Sequence, residues 1–278
     1  MGTLPLRCAT LLALMLACAA APAQDKAATD ADAGSVVVTA TRNPVEKSYR
    51  KILRGMDLFE SRKGALAPEA ALRFKLLPRL PGTRMEGIAV EIVGDTFALP
   101  VPVAGDRTFV LEHDRQALEE NAAVIPNRKA SSMTWRADIR TPGLPPGTRR
   151  LGDLRLECLV GNAAGLVSNS RPIFGQIANL IVGLTDYCDW EDTQYLFFSE
   201  RPLFGVTLVA GSRREALSID RLYAGASYDT NLPSDLPYCD CQVLLDRTYF
   251  LPLGDRSWPD DTLVEYEYMD ERNDAAPR

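Results

Sequence analysis

Acidic side chains gather densely enough in the C-terminal half of the chain to suggest chemistry. Asp186, Asp189, Glu191 and Asp192 crowd around Cys188, Asp235 and Asp240 flank the approach to the Cys239-Asp240-Cys241 triplet, and Asp255, Asp260 and Asp261 lie around Trp258. Two such carboxylates on either side of a glycosidic bond can serve as acid and base, and a set of carboxylate oxygens can hold calcium. The spacing nowhere matches a DxDxDG calcium loop. Turns also collect Asp because its side chain bonds local backbone. The sequence has no GxSxG, HExxH, GxxxxGKS/T or GxGxxG, which leaves serine hydrolysis, zinc hydrolysis and nucleotide binding without a motif. His113, the one histidine, sits in the strand-ending run LEHD. No catalytic, metal-binding or cofactor-binding residue is assigned, and no cofactor is expected.

Cysteines and aromatic residues offer a second kind of chemistry. Cys158, Cys188, Cys239 and Cys241 follow the N-terminal leader, and an even number in an oxidising compartment reads as two disulfides with three connectivities. A bridge from Cys239 to Cys241 across one residue conflicts with disulfide geometry. The expectation is that each of that pair reaches back, one to Cys158 and one to Cys188. A metal site on the CDC triplet is the alternative, and it lacks a second CxxC. Tyr187, Trp190, Tyr195, Tyr223, Tyr228, Tyr238 and Trp258 fall in or beside loops among these acids. Loop Tyr and Trp supply contact area at low entropic cost, so Tyr187, Trp190, Tyr238 and Trp258 are candidates for a recognition surface. Packing over disulfides and sheet edges is the other reading.

The elements that must position these residues are mostly strands. FKLLPR (74–79), GIAVEIVG (87–94), TFALPVPV (96–103), RTFVLEHD (107–114), MTWRADIRT (133–141) and GDLRLECLVG (152–161) are short apolar or alternating runs between Gly, Pro and Asp punctuation. Such spacing predicts an antiparallel sandwich. In the TWRADIRT run, Trp135, Ala137 and Ile139 alternate with Arg136, Asp138 and Arg140, which predicts one buried and one wet face. A second set follows in QYLFFSE (194–200), LFGVTLVAG (203–211), REALSID (214–220), CQVLLDRTYFLPL (241–253) and LVEYEYMD (263–270).

Two helical patterns interrupt the strands. Val45, Tyr49, Ile52, Leu53, Met56 and Phe59 recur at helical spacing after Asn43 and Pro44, which suit a cap and a first turn. Residues 172–184, PIFGQIANLIVGL, carry no charge and predict a short helix packed between two sheets. The fold class is therefore mainly β: two β-sandwich-like units with an N-terminal helix and a short apolar helix between the units. DRTFVLEHD (106–114) is echoed by DRTYFLPLGD (246–255), and PGTR occurs at 81–84 and 146–149. The shape of these echoes loosely resembles carboxypeptidase-regulatory-like or immunoglobulin-like sandwiches.

Composition and the chain ends point to a compartment. Arg7 precedes the apolar run CATLLALMLACAAA, and Ala21-Pro22-Ala23 is a small-x-small cleavage site. Residues 1–23 thus read as a signal peptide. Leu16-Ala17-Cys18 is part of a lipobox with Met15 in the usual Leu position, so lipidation at Cys18 in an outer-membrane lipoprotein is the alternative to a cleaved periplasmic protein. Residues 24–35 read as a disordered leader, 36–62 as a strand plus amphipathic helix, 68–170 as the first β unit, 171–270 as the apolar helix and second β unit, and 271–278 as a disordered tail. A net charge of −6 argues against nucleic acid. No segment after the signal is predicted to span a membrane.

Val36, Val37, Val38, Thr39, Ala40, Thr41 and Arg42 spell VVVTATR, which resembles the TonB box of TonB-dependent outer-membrane receptors. In those receptors such a segment meets an energy-coupling partner in the periplasm, so the resemblance implies an envelope location and a protein partner bound by strand addition. The function expected from these features is an exported, non-enzymatic binding or accessory module. A carboxylate-dependent saccharide-active enzyme and a TonB-associated accessory protein are the alternatives.

Overall fold

The helical pattern beginning near Val45 folds as predicted in kind but starts later. The computed structural model describes residues 45–166, 187–191, 193, 195–223 and 244–269, all within the unit Thr39–Arg278. Lys47–Ser48 forms a short strand, β1, and helix α1 follows over Tyr49–Leu66. Ser48 caps α1, its Oγ accepting from the Lys51 N–H. Asn43 and Pro44 lie outside the described residues. So do residues 36–42, the signal and leader, the apolar segment 172–184, the tail 271–278, Tyr238, Cys239 and Cys241.

The remaining elements are β2 (Ala71–Pro78), β3 (Val90–Val93), β4 (Ala98–Val101), β5 (Thr108–Phe109), helix α2 (Arg115–Glu119), β6 (Ala123–Pro126), β7 (Met133–Arg140), β8 (Thr148–Arg150), helix α3 (Leu151–Ala164), β9 (Phe197–Phe198), β10 (Leu203–Ala210), β11 (Arg213–Ala216), β12 (Thr248–Tyr249) and β13 (Leu263–Tyr268). Among the described residues the chain is mainly β. Its thirteen strands form four antiparallel sheets, in the orders β1-β6-β3-β4, β5-β2-β7, β11-β10-β13-β8 and β12-β9. No described helix is long and apolar enough to cross a membrane.

The run GDLRLECLVG corrects a strand expectation, because residues 151–164 are the helix α3. Its Leu-Arg-Leu-Glu alternation imitates a half-buried strand, but α3 is covered on every side, and a helix buried all round shows no clean 3.6-residue stripe. Leu156, Val160 and Ala164 enter one core with Tyr49, Phe74 and Trp135. Leu151, Leu154 and Cys158 enter a second with Phe197, Tyr249 and Trp258. Two glycines permit this. A Cβ on Gly55 of α1 would stand 2.8 Å from the Ala164 Cβ, and one on Gly152 would stand 2.1 Å from the Leu66 carbonyl oxygen. The helix ends at Gly165, whose φ of 66° is left-handed and which Leu166 follows by donating its N–H to the Gly161 carbonyl.

Strand β7 corrects a second expectation. Its Trp135, Ala137 and Ile139 face the first core as predicted, but Arg136 and Asp138 are only 5% and 8% exposed. The predicted wet face is covered by the segment around β9, where Arg136 lies 4.3 Å from the centre of the Phe198 ring.

Candidate functional site: a polar hollow at Arg140 and Arg149

Burying the second face of β7 forces its charges to find partners inside the protein. Arg149, on β8, donates from Nη2 to Glu157 Oε2 at 2.6 Å and to the Ile139 carbonyl at 2.5 Å. Glu157, from α3, also accepts from the Ile139 N–H at 3.2 Å. Burial is the largest single influence and works against the Arg149 charge, but Glu157 together with Tyr266, Asp138 and Tyr249 outweighs it and holds the guanidinium above the ordinary arginine range. Burial raises the Glu157 carboxyl above its usual value, with Arg149 pulling it back. Arg140 reaches Asp138 through Nε at 2.9 Å and Glu200 through Nη2 at 3.0 Å, and Lys75 meets the same Glu200 oxygen at 3.3 Å. Tyr249 and Tyr266 share a hydroxyl contact of 2.6 Å behind this cluster, and burial pushes Tyr266 up to about 12.

Two cavities open on these arginines. One of about 240 Å³ is walled by Arg140, Thr141, the 143–148 turn, Arg149 and Asp153. Another of about 100 Å³ adds Ser199, Glu200, Tyr266 and Tyr268 to the same pair. Asp153 is fully buried, and its two oxygens accept from the Thr141 N–H at 2.7 Å and the Thr141 hydroxyl at 2.8 Å. Arg149 Nε is buried and meets no hydrogen-bond partner among the described residues. The turn that forms the wall reverses at Gly143 and Gly147, with φ of 77° and 70°, conformations that favour glycine.

No family model, no characterised protein and no solved structure matches the chain. Function therefore has to be argued from the site itself.

Three of the acids singled out by the sequence, Asp189, Asp255 and Asp260, are engaged by the protein's own donors. Asp260 accepts from Arg155 Nη1 at 2.6 Å, and its carbonyl accepts the Gly152 N–H that opens α3. Asp255 accepts from the Ser257 N–H at 2.9 Å, and hydrogen bonds from Ser257 lower its carboxyl below the usual range. Asp189 pairs with Arg256. Asp186, Asp192, Asp235 and Asp240 lie outside the described residues. Among the described residues no three His, Cys, Asp or Glu side chains gather as a metal site. His113 is exposed and stands 3.6 Å from an exposed Asp57 oxygen.

The aromatic candidates separate. Tyr187 and Trp190 meet edge to face with ring centres 6.1 Å apart, and Trp190 is 47% exposed. Trp258 is not on that surface. It is 1% exposed, seated in the second core with Arg213 stacked 3.5 Å from its ring centre. A loop position before β13 allowed either outcome, and burying a whole indole decided it.

The preferred cysteine pairing is also corrected: Cys158 bonds Cys188, with Cα atoms 6.0 Å apart. The inner face of α3 brings Cys158 beside the 3-10 turn Tyr187–Asp189, and both sulfurs are buried. The Asn162 amide, one turn along α3, donates toward Cys188 Sγ at 3.2 Å. With a separation of 30 residues, the closed loop is expected to contribute roughly 3.6 kcal/mol by restricting the unfolded chain. A Cys158→Ala/Cys188→Ala variant should lose about that much in urea unfolding. A loss near zero would show that the bridge does not constrain the unfolded state.

Sequence reading missed Arg149 and Glu157 altogether. For Glu157 the available signal was an ionic residue set within an otherwise apolar run, LGDLRLECLV, since buried charges require partners; Arg149, in the polar run PGTRR, carries no such signal.

Proposed function

We propose that the protein is an exported, non-enzymatic binding or accessory module of the bacterial envelope, and that its binding site is the hollow at Arg140 and Arg149. The observation that carries this reading is the state of the acids around the hollow. Asp153 has both oxygens occupied by Thr141, and Glu200 is shared by Lys75 and Arg140. A general base needs an oxygen within reach of a substrate proton, whereas Asp153 is buried with both oxygens committed to Thr141 and Glu200 is held through Oε1 by two cations. The arginines beside them supply recognition rather than proton transfer. Residues 1–23, the TonB-box resemblance of residues 36–42 and the buried disulfide together support the periplasm, an oxidising compartment.

The test is a ligand screen by thermal unfolding, run in parallel with turnover assays on the same glycans and peptides. The expected result is a raised unfolding midpoint for at least one envelope component without product formation. Turnover that disappears in Asp260→Asn while the fold is intact would instead establish the saccharide-active enzyme.

A further inference from the structure

We infer that the chain is two copies of one strand–helix–strand–hairpin–strand–strand unit fused in tandem, each copy having the other as its docking partner. The first copy runs through β1, α1, β2, β3, β4, β5 and β6, and the second through β8, α3, β9, β10, β11, β12 and β13. Each builds a four-stranded antiparallel sheet with the same pairing, β1-β6-β3-β4 and β8-β13-β10-β11. Each also pairs its two other strands, β2 with β5 and β9 with β12. Strand β7 leads from one copy to the other and pairs with β2.

The correspondence holds residue by residue. Val124 of β6 pairs with Lys47 and Ile92, as Val264 of β13 pairs with Arg149 and Leu208. Both helices open on the same hydrogen bond, from the Tyr49 N–H to the Ala122 carbonyl and from the Leu151 N–H to the Thr262 carbonyl, each 2.9 Å. Both hairpins turn on two residues, Asp95-Thr96 and Gly211-Ser212. The echo of DRTF in DRTY belongs to the same pattern. Phe109 pairs with and stacks on Phe74, and Tyr249 on Phe197, with ring centres 5.5 Å apart in each case. The connections 110–122 and 250–262 that follow are equal in length. A slip of one residue would turn each strand's apolar set to the other face, yet the matched pairs Val90 and Val206, and Ile92 and Leu208, are all buried.

A sheet with one apolar face has to bury it against another element, and here the two helices join the copies. The start of α3 meets the end of α1, where a Cβ on Gly152 would strike the Leu66 carbonyl, and the end of α3 meets the first half of α1 at Ala164 and Gly55. The helices are therefore antiparallel. Only a rotation close to a half-turn carries a helix onto an antiparallel copy, which is the symmetry of a two-fold dimer. The copies diverge where the second has longer connections, 165–196 against 67–70 and 217–247 against 102–107. They diverge also at the hollow: Arg149 stands where the first copy has Lys47, and Glu157 where it has Gly55. The buried ion pair thus belongs to the second copy alone.

The experiment transplants one hairpin onto the other in the full chain. Replacing residues 206–217 by the sequence of residues 90–101 should leave a single cooperative transition, with its midpoint within about 10 °C of the parent's. Replacing them by the sequence of residues 91–102, one residue out of register, should abolish that transition, because every side chain then faces the wrong way. Two transplants that behave alike, both folded or both unfolded, would overturn the duplication. A crystal structure of the unaltered chain needs no variant. One rotation close to a half-turn should superpose β3, β4 and β6 on β10, β11 and β13, and α1 on α3. Different rotations for the strands and the helices would overturn the duplication as well.

Discussion

Replacing Glu157 by alanine is expected to destabilise the protein by about 3–5 kcal/mol, the usual result of stripping a buried charge of its partner. For a chain of this size each kcal/mol corresponds to roughly 2–4 °C, so the unfolding midpoint should fall by about 10 °C. The cause is the stranded guanidinium. Arg149 has side-chain exposure of 6% and holds Glu157 at 2.6 Å, so alanine leaves a dry cation facing a backbone carbonyl. The pair itself need not be a net source of stability, because two desolvated ions gain little over a well-packed apolar pair. Arg149→Met/Glu157→Leu should therefore recover most of what Glu157→Ala loses. Measuring both single variants and the double variant by urea unfolding gives the coupling energy. Single variants close to wild type would mean that water reaches Arg149 and that the site is not dry.

The second large effect is expected in the first core. Trp135→Ala should cost about 3–5 kcal/mol, as truncating a fully buried aromatic side chain does. Trp135 has no exposure and sits at the centre of an aromatic triad, 5.6 Å from Phe74 and 5.3 Å from Phe109. Its indole N–H donates to the Val45 carbonyl at 3.4 Å, a long contact whose loss contributes less than the removed area. Trp135→Phe keeps most of that area and should recover a large part of the stability, which separates burial from hydrogen bonding. A cost below about 1 kcal/mol for alanine would place Trp135 outside the cooperative core.

Much of the scaffold could be read in advance because it obeys simple periods. The amphipathic run after Val45 became α1, and MTWRADIRT became a strand with Trp135, Ala137 and Ile139 turned to the core. Reading failed where both sides of an element are covered. Alternation in β7 predicted a wet face, yet Arg136 and Asp138 are enclosed, since sequence shows polarity but not what packs above it. The same enclosure disguised α3. PGTR at 146–149 was visible only as an echo of 81–84, although it supplies the Gly147 turn, Thr148 and Arg149 of the hollow. Its significance depends on β8 lying beside β13, a long-range contact, and on Arg149 meeting Glu157 in the helix that follows it. Cys158 pairing with Cys188 was similarly hidden, because the spacing of cysteines does not specify a connectivity.

Helix α3 contributes one set of side chains to the core of Trp135 and another to the core of Trp258. Neither core is complete without it, so neither set of strands constitutes a self-sufficient folding unit. A cut through the chain near residues 151–164 would leave both fragments with apolar surface that has lost its partner. Evolution could not readily have shuffled one side of this protein away from the other, and an engineer seeking a minimal version must keep the helix with whichever side is retained.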